Sequence, residues 1–163
     1  MYIRKAESND LPFIMKIYEK ARLFMKNNGN PAQWWESGYP PEEIVRKDID
    51  DRNLYVCVEN NNIVGVFAFI IGDEPTYRKI EHGAWHSSKQ YGTIHRVASD
   101  CSTRGIAKSC FDFCSQKSKY LRIDTHRDNK PMLAAIRNYG FRECGIIHVR
   151  DGSERIAFDY IVK

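Results

Sequence analysis

A short segment around Gly105 carries the residues best suited to bind an anion. An apolar strand is predicted over residues 94–98, and it runs into a polar loop that opens directly into a helix. Gly105 lies where the chain must turn, because glycine adopts left-handed backbone conformations at little steric cost. The first turn of a helix carries backbone N–H groups without an intrahelical partner and the positive end of the helix dipole, and Arg104 and Lys108 flank it. This arrangement predicts an anion-binding site.

The spacing of apolar residues in the helix that follows predicts one buried face. Ile106, Cys110 and Cys114 recur at the spacing of one helical stripe, with Ala107 and Phe111 beside them. The chain has five cysteines, an odd number, without a Cys-x-x-Cys motif or paired histidine spacing, which argues against a disulfide framework or a zinc site. Cys110 and Cys114 are therefore predicted to be small buried hydrophobes in a reducing compartment.

The segment Ser102-x-x-Gly105-x-Ala107 resembles the acyl-CoA-binding motif of the Gcn5-related N-acetyltransferases, the GNAT family. That motif is Arg/Gln-x-x-Gly-x-Gly/Ala after the fourth strand, where loop amides hold the CoA pyrophosphate. Ser102 departs from it, because the family has Arg or Gln at this position. The motif alone is short, so the family assignment also depends on a second segment.

The second segment begins at Asn129 and ends at Gly140-Phe141. It looks like the Asn–helix–Gly-Phe segment that follows the fifth strand in the GNAT family. Asn129 is predicted to cap the helix, with Pro131 just inside it. The two segments together span residues 93–141, and with the N-terminal helix and a hairpin the resemblance extends over nearly the whole chain.

The resemblance implies that acetyl-CoA is the cosubstrate and that an amine attacks it directly in a ternary complex. Backbone amides from Arg104 to Ser109 would hold the pyrophosphate, and strand-like pairing to Val97 and Ser99 would hold the pantetheine. In the family the Asn of the second segment contacts the pantetheine or phosphate arm, and this role passes to Asn129. The implied acetyl-CoA contacts are Val97, Ala98, Ser99, Arg104, Gly105, Ile106, Ala107, Lys108, Ser109, Asn129 and Met132.

Two residues are candidates for the base that takes a proton from the attacking ammonium, a role usually filled by Glu, His or water. His95 is the first candidate, because it lies on the central strand near the implied position of the thioester and because histidine exchanges protons near neutral pH. The alternative is a histidine that packs on the far face of the strand. Glu81 is the second candidate, and its alternative is a solvated carboxylate at a strand edge. The backbone N–H near His95 is the candidate donor to the thioester oxygen.

The expected general acid is missing from the sequence. The family often has Tyr four residues before the Gly of the second segment, but Ile136 stands there, and Tyr139 is a different position. The CoA thiol is acidic enough to leave without such a group.

Asp124 and His126 end a predicted strand, where they either line the acceptor site or cap the helix at Asn129.

The elements that must position these residues predict a mixed, largely antiparallel central sheet with helices on both faces. This is an α/β (α+β) arrangement of the GNAT-like acyl-CoA N-acyltransferase fold. Residues 54–59 and 63–71 form the clearest hairpin, and the strand–helix–strand unit around Gly105 is predicted as a right-handed parallel crossover. A further strand piece is predicted at 80–85. One N-acetyltransferase domain is expected to cover residues 1–163.

A turn-rich segment at residues 28–41 carries two adjacent indoles, Trp34 and Trp35. One of them is expected to fill the core. The other either covers the core or forms an aromatic wall for the acceptor substrate.

Composition limits the classes of partner. The net charge of +4 favours an anionic ligand, but basic residues are scattered without a long run, so nucleic acid is not expected as a partner. The sequence shows no apolar signal region and no long apolar run, so a cytoplasmic protein with no membrane contact is expected. Neither a metal nor another cofactor is expected.

Two functional hypotheses follow. The first is an acetyl-CoA-dependent N-acetyltransferase that modifies a primary amine of a small molecule or peptide. The second is a non-catalytic acyl-CoA-binding or regulatory module, which the departures at Ser102 and Ile136 favour. Members of the family are often dimers, and a homodimer is expected on that ground alone.

Overall fold

The computed structural model describes residues 1–163 and contains seven strands and four α-helices. The strands are β1 (Tyr2–Lys5), β2 (Leu54–Glu59), β3 (Asn62–Ile71), β4 (Gly92–Ser99), β5 (Tyr120–Thr125), β6 (Arg142–His148) and β7 (Glu154–Ile161). The helices are α1 (Leu11–Asn27), α2 (Glu42–Asp50), α3 (Ile106–Lys117) and α4 (Lys130–Tyr139). Short 3-10 helices lie at Ser8–Asp10 and Pro75–Tyr77. No helix combines the length and the apolar composition that a bilayer crossing requires.

The seven strands form one mixed sheet in the order β1-β2-β3-β4-β5-β7-β6. Strands β4 and β5 are parallel, and α3 connects them, as the predicted crossover requires. The β1–β2, β2–β3, β5–β7 and β6–β7 pairs are antiparallel. The mixed, largely antiparallel sheet with an α+β arrangement is therefore confirmed. The parallel pairing is short, because it joins only Gly92 to Leu121, Thr93 to Arg122 and Ile94 to Ile123.

The chain forms two compact units, which we call the first and second unit. The first contains residues 1–69 and 96–109, and the second contains residues 70–95 and 110–163. The boundary inside β4 falls between His95 and Arg96, so each unit includes part of that strand. The expectation of one domain over the whole chain stays a prediction.

The core of the first unit is built on one face of α1. Its buried side chains recur every three or four residues, as an amphipathic helix requires, and they are Leu11, Ile14, Ile17, Tyr18, Ala21 and Met25. Trp34 is 7% exposed and packs edge-on against Tyr18, with ring centroids 5.9 Å apart. Trp35 is 39% exposed, and the Lys26 ammonium lies 4.3 Å from its ring centroid. One indole therefore fills the core, as predicted, and the other is exposed.

In the second unit, aromatic rings hold α3 and α4 together. Phe111 of α3 is fully buried and contacts Tyr139 and Phe141 edge-on, each with a centroid separation of 5.1 Å. Cys110 and Cys114 are also fully buried, as the helical stripe predicted. These contacts fix the C-terminal part of α3 relative to α4.

The prediction of a strand at residues 80–85 is wrong. Only Glu81 pairs there, in a single bridge to Ile146 of β6 with backbone hydrogen bonds of 2.8 Å in both directions. The two chain segments then approach so closely that only glycine fits. A Cβ at Gly83 would lie 1.8 Å from the Cys144 carbonyl oxygen, and a Cβ at Gly145 would lie 2.4 Å from the Glu81 carbonyl oxygen. The segment around Gly83 therefore crosses β6 in close backbone contact, and it does not form the strand pairing that the pattern suggested.

Candidate functional site

The loop between β4 and α3 is shaped by two residues with left-handed backbone conformations. Cys101 has a φ of 66° and Gly105 a φ of 82°. Hydrogen bonds within the loop stabilise it, because the Cys101 amide donates to Ser99 Oγ and the Ser102 amide donates to Asp100 Oδ1, both at 2.9 Å. The Ser102 hydroxyl bonds the same carboxylate at 2.8 Å, so it points back into its own loop.

The outer side of the turn at Gly105 is open. A Cβ placed on Gly105 would meet no atom within 4 Å. The first intrahelical bond of α3 runs from the Ser109 amide to the Gly105 carbonyl at 3.0 Å, so the amides of Ile106 and Ala107 precede the helical ladder. The exposed Arg104 stands beside this turn. The structure therefore places the predicted anion-binding groups at one helix start, although the Ser109 amide is used inside the helix.

A glycine in β3 determines how closely that helix start packs. A Cβ at Gly65 would lie 2.7 Å from Cγ2 of Ile106 and 3.4 Å from the Ala98 carbonyl oxygen. The loop is held from the same side, since the Asp100 amide donates to the Val64 carbonyl at 3.0 Å. The position of the α3 N-terminus thus depends on a strand residue that the sequence reading did not single out.

The predicted pantetheine-binding residues, Val97, Ala98 and Ser99, follow an irregularity in β4. Arg96 has a φ of 52°, which is uncommon for a residue with a side chain. Its guanidinium makes two bonds of 2.8 Å to the Asp48 carboxylate, and the Tyr18 hydroxyl donates to its carbonyl oxygen at 3.0 Å. This buried clamp, which also includes a 3.0 Å contact to the Tyr39 hydroxyl, stabilises a backbone conformation that is otherwise unfavourable.

His95, the residue before this irregularity, pairs with a carboxylate in the second unit. Its Nε2 lies 3.1 Å from Glu74 Oε2, and both side chains are less than one-fifth exposed. Burial alone would raise the pKa of Glu74, but hydrogen bonds from His95 and Thr76 outweigh it and lower the pKa to about 2. The Tyr91 hydroxyl accepts from the Glu74 amide at 2.8 Å, which fixes the loop that carries the carboxylate. His95 therefore does not simply fill space on the strand.

Glu81, the second candidate base, lies in a different environment. Its carboxylate forms an ion pair with Lys79 at 3.0 Å and is 38% exposed. The hydrogen bond from Lys79 lowers the pKa of Glu81, which weakens it as a proton acceptor. This matches the alternative of a solvated carboxylate better than it matches a catalytic base.

A second acid–hydroxyl pair lies beside the histidine. The Tyr77 hydroxyl donates to Asp124 Oδ2 at 2.6 Å, and the Tyr77 ring centroid lies 6.0 Å from that of His95. Burial and the negative charge of Asp124 raise the pKa of Tyr77 well above its ordinary value. Asp124 therefore holds a tyrosine rather than capping a helix. His126 is the residue that organises the turn before α4, because its Nδ1 accepts from the Asp128 amide at 3.1 Å.

The α4 segment contains Asn129, Met132, Ile136 and Tyr139. Asn129 caps the helix, because its side-chain oxygen accepts from the Met132 amide at 3.3 Å. Ile136 is fully buried in the core, and the Tyr139 hydroxyl bonds Asp112 at 3.0 Å. Ile136 has no hydroxyl, and the Tyr139 hydroxyl is already bonded to Asp112, so neither residue replaces the family tyrosine.

Glu74 and Tyr77 are the site residues that sequence reasoning missed. Both lie in the loop and 3-10 helix between β3 and β4, where no periodicity marks a residue as inward-facing. The only local signal was an acidic residue before Pro75, which is also an ordinary cap. Their importance follows from tertiary contacts.

Comparison with known proteins supports the family resemblance. No protein-family model matches the sequence, and no curated protein matches it. A GNAT-family acetyltransferase structure from Streptococcus agalactiae 2603 is similar with a TM-score of 0.86 and 30% identity, over 99% of this chain and 95% of that chain. This chain belongs to the GNAT family of acetyltransferases. The resemblance deduced from Gly105 and Asn129 is therefore confirmed.

More distant structures share the GNAT fold. A ribosomal-protein-alanine N-acetyltransferase from Brucella melitensis has a TM-score of 0.66 at 18% identity, covering 99% of this chain and 100% of that one. A GNAT-like decarboxylase in complex with isobutyryl-CoA has a TM-score of 0.71 at 13% identity, covering 100% of both chains. At these identities the likeness concerns the fold alone.

Proposed function

We propose that this GNAT protein transfers an acetyl group from acetyl-CoA to a primary amine of a small molecule or peptide, by direct attack within a ternary complex. The observation that carries the proposal is the open, left-handed turn at Gly105 at the start of α3. Amides before the first helical bond, together with the positive helix end, suit a pyrophosphate. The isobutyryl-CoA bound to a decarboxylase of the same fold supports an acyl-CoA as the ligand class.

The residues around the turn would bind the nucleotide end of acetyl-CoA. The amides of Gly105, Ile106 and Ala107 would bond phosphate oxygens, and the exposed Arg104 would add charge. Ser109 would act through its hydroxyl, because its amide bonds the Gly105 carbonyl. Acetyl-CoA, when bound, supplies an activated thioester.

His95 is the residue we assign to proton removal from the attacking ammonium. Glu74 would orient the imidazole through Nε2 and stabilise it when protonated, leaving Nδ1 as the proton-accepting atom. The same pairing supports the general-base role over a purely structural histidine, because a largely enclosed carboxylate at 3.1 Å stabilises the charged product of proton transfer. Glu81 is the weaker candidate, because Lys79 already pairs with it.

A non-catalytic acyl-CoA-binding module is the second candidate function. Two observations favour it: the Ser102 hydroxyl is used inside its own loop, and Ile136 is buried where the family tyrosine would stand. The two candidates share the ligand and differ in turnover. They are therefore separated by activity and not by binding.

Calorimetric titration with acetyl-CoA and with CoA is the test of the shared ligand. The variant Gly105→Glu places an acid where a phosphate would bind, and Gly152→Glu is its matched control. Gly152 has a φ of 85°, equally open surroundings and a place in the β6–β7 turn. We expect binding by the unaltered protein and by Gly152→Glu, and loss of binding in Gly105→Glu. No binding by the unaltered protein would overturn both candidate functions.

A panel of primary amines, with release of the CoA thiol as readout, then tests transfer. Turnover of at least one amine supports the acetyltransferase. Binding of acetyl-CoA without turnover of any amine supports the non-catalytic module.

A further inference from the structure

Three side chains with metal-binding atoms converge in the second unit, outside the residues assigned above. His86, Cys144 and Asp159 each offer one ligand atom, and these atoms lie within 4.8 Å of one another. His86 Nδ1 lies 2.8 Å from Asp159 Oδ1 and 3.4 Å from Cys144 Sγ. The residues are far apart in the chain, so local cysteine and histidine spacing gives no sign of this cluster.

Hydrogen bonds give each of the three groups a partner, since the Cys144 thiol donates to the Arg142 carbonyl oxygen at 3.5 Å and His86 Nδ1 contacts Asp159 Oδ1, but they do not explain why Nδ1 also faces the thiol sulfur. One imidazole nitrogen carries either a single hydrogen or a single lone pair, so Nδ1 cannot make a good hydrogen bond to both the thiol and the carboxylate. A cation, in contrast, is contacted by nitrogen, sulfur and oxygen together. Zn²⁺ binds these three atom types at about 2.0–2.3 Å, and a tetrahedral arrangement then separates the ligand atoms by about 3.3–3.6 Å. The Nδ1–Sγ separation of 3.4 Å lies in this range, whereas Nδ1 and Oδ1, which lie 2.8 Å apart, would separate by about 0.5 Å on binding.

The scaffold around the cluster is closely fitted. Cys144 lies at the irregular register of β6, and Asp159 lies on the neighbouring strand β7. His86 follows the segment that crosses β6 at Gly83 and Gly145, where a Cβ on either glycine would collide with backbone oxygen. The close crossing therefore brings the histidine against two strands that already carry the thiol and the carboxylate.

The carboxylate is oriented by two groups that are not proposed ligand atoms. Asp159 Oδ2 accepts from the His86 amide and from the Tyr120 hydroxyl, both at 2.8 Å. This leaves Oδ1 as the oxygen that faces His86 Nδ1. Outer hydrogen bonds of this kind orient the ligands of metal sites.

Burial and charge are also suited to a dication. Asp159 is fully buried, and the His86 side chain is 35% exposed, which leaves one approach from solvent. The Asp159 carboxylate supplies a negative charge beside the imidazole. Arg122 contacts the Tyr120 hydroxyl at 3.3 Å and stacks between Trp85 and Tyr91.

We propose that His86, Cys144 and Asp159 bind a transition-metal dication of the zinc type through Nδ1, Sγ and Oδ1, with the fourth position open to solvent. Binding releases the Cys144 proton to solvent, and the thiolate and carboxylate charges balance the dication. This site is independent of acetyl-CoA and of the acetyltransferase proposal.

The test is titration of the purified, metal-free protein with Co²⁺ and with Zn²⁺ in the absence of CoA, whose thiol would compete. Co²⁺ should produce a thiolate-to-cobalt charge-transfer band, and Zn²⁺ should abolish it. Cys144→Ser should remove the band, whereas Cys101→Ser, which alters an exposed cysteine in the β4–α3 loop, should retain it. Absence of the band in the unaltered protein, or its survival in Cys144→Ser, would overturn the proposal.

Two further measurements protect the test against a misfolded variant. Zn²⁺ should raise the Tm of the unaltered protein, because a ligand that binds only the folded state stabilises it. Tyr120→Phe keeps all three ligands and removes one outer hydrogen bond, so it should weaken Zn²⁺ binding by about 10–100-fold. No Zn²⁺-dependent rise in Tm would show that the cluster is hydrogen-bonded only, and unchanged affinity in Tyr120→Phe would show that Zn²⁺ binds away from Asp159, which also overturns the proposal.

Discussion

Two consecutive residues of β4 enter very different ion pairs. The Arg96 guanidinium is bound by Asp48 through two hydrogen bonds of 2.8 Å in the first unit, and His95 contacts Glu74 through one nitrogen at 3.1 Å in the second. Arginine stays charged at every accessible pH, whereas histidine gains and loses a proton near neutrality. The first pair can therefore only hold a backbone conformation, and the second can also take part in proton transfer.

Removal of the Asp48 charge should give the largest effect on stability. Asp48→Ala leaves Arg96, whose side chain is 11% exposed, without its carboxylate partner, and breaking a buried ion pair costs about 3–5 kcal/mol. Urea unfolding measures this loss. Glu42→Gln is the control, because Glu42 pairs with Arg46 on the surface and should change stability by less than about 1 kcal/mol. Equal losses of unfolding free energy in the two variants would mean that the Asp48–Arg96 pair stabilises the fold no more than a surface ion pair does.

Replacement of His95 should give the largest effect on catalysis. If His95 is the base, His95→Gln should lower kcat by about 100-fold or more, because general-base catalysis contributes at least that much. The measurement is steady-state turnover with the best amine of the panel, with a thermal melt to show that the fold is intact. Glu81→Gln, at an exposed carboxylate paired with Lys79, should keep its turnover within a few-fold of the unaltered protein. A large loss of kcat in Glu81→Gln with a small one in His95→Gln would instead identify Glu81 as the base.

The Glu74 carboxylate should show its contribution at low pH. Hydrogen bonds from His95 and Thr76, against the opposing effect of burial, place the pKa of Glu74 at about 2 in the folded protein. A free glutamate has a pKa of about 4.3, so the ionised carboxylate stabilises the fold above that pH, and this contribution is lost as pH falls from there to about 2.

Glu74→Gln should therefore reduce this pH dependence. Urea unfolding at several pH values between 6 and 3 measures it, with Glu42→Gln as the exposed control. An unchanged slope in Glu74→Gln would contradict the lowered pKa.

A smaller effect is expected from the tyrosine that holds the Glu74 loop. Tyr91→Phe removes the hydroxyl that accepts from the Glu74 amide at 2.8 Å, which should cost about 1 kcal/mol of stability. If this contact positions the carboxylate for His95, kcat should fall a few-fold while KM for acetyl-CoA stays constant. An unchanged kcat would limit Tyr91 to a structural role.

Local patterns were sufficient for most of the fold. The bounds predicted for residues 54–59 match β2, because a run of β-branched and aromatic residues there ends at clear turn residues. The buried stripe of α3 was equally visible in the spacing of Cys110 and Cys114. Periodicity identified these elements because their burial follows from their own sequence.

The contacts that give the site its chemistry could not be read in this way. Glu74 is recognisable only once the loop folds against His95, and the segment at 80–85 resembles a strand until Gly83 is seen to cross Gly145. His86, Cys144 and Asp159 are likewise brought together by pairing between distant parts of the chain. The sequence positions of such groups contain no periodic signal, because the partner that selects them lies on another element.

The interleaved order of the two units has a consequence for biosynthesis. The first unit takes residues 1–69 and then resumes at 96–109, after the chain has begun the second unit. On a ribosome, the first unit therefore stays incomplete until Ser109 has emerged, and the second until β7 has been made. Pairings between distant segments form slowly and expose unpaired strand edges while they wait. A nascent chain of this protein should accordingly depend on protection from aggregation until synthesis is nearly complete.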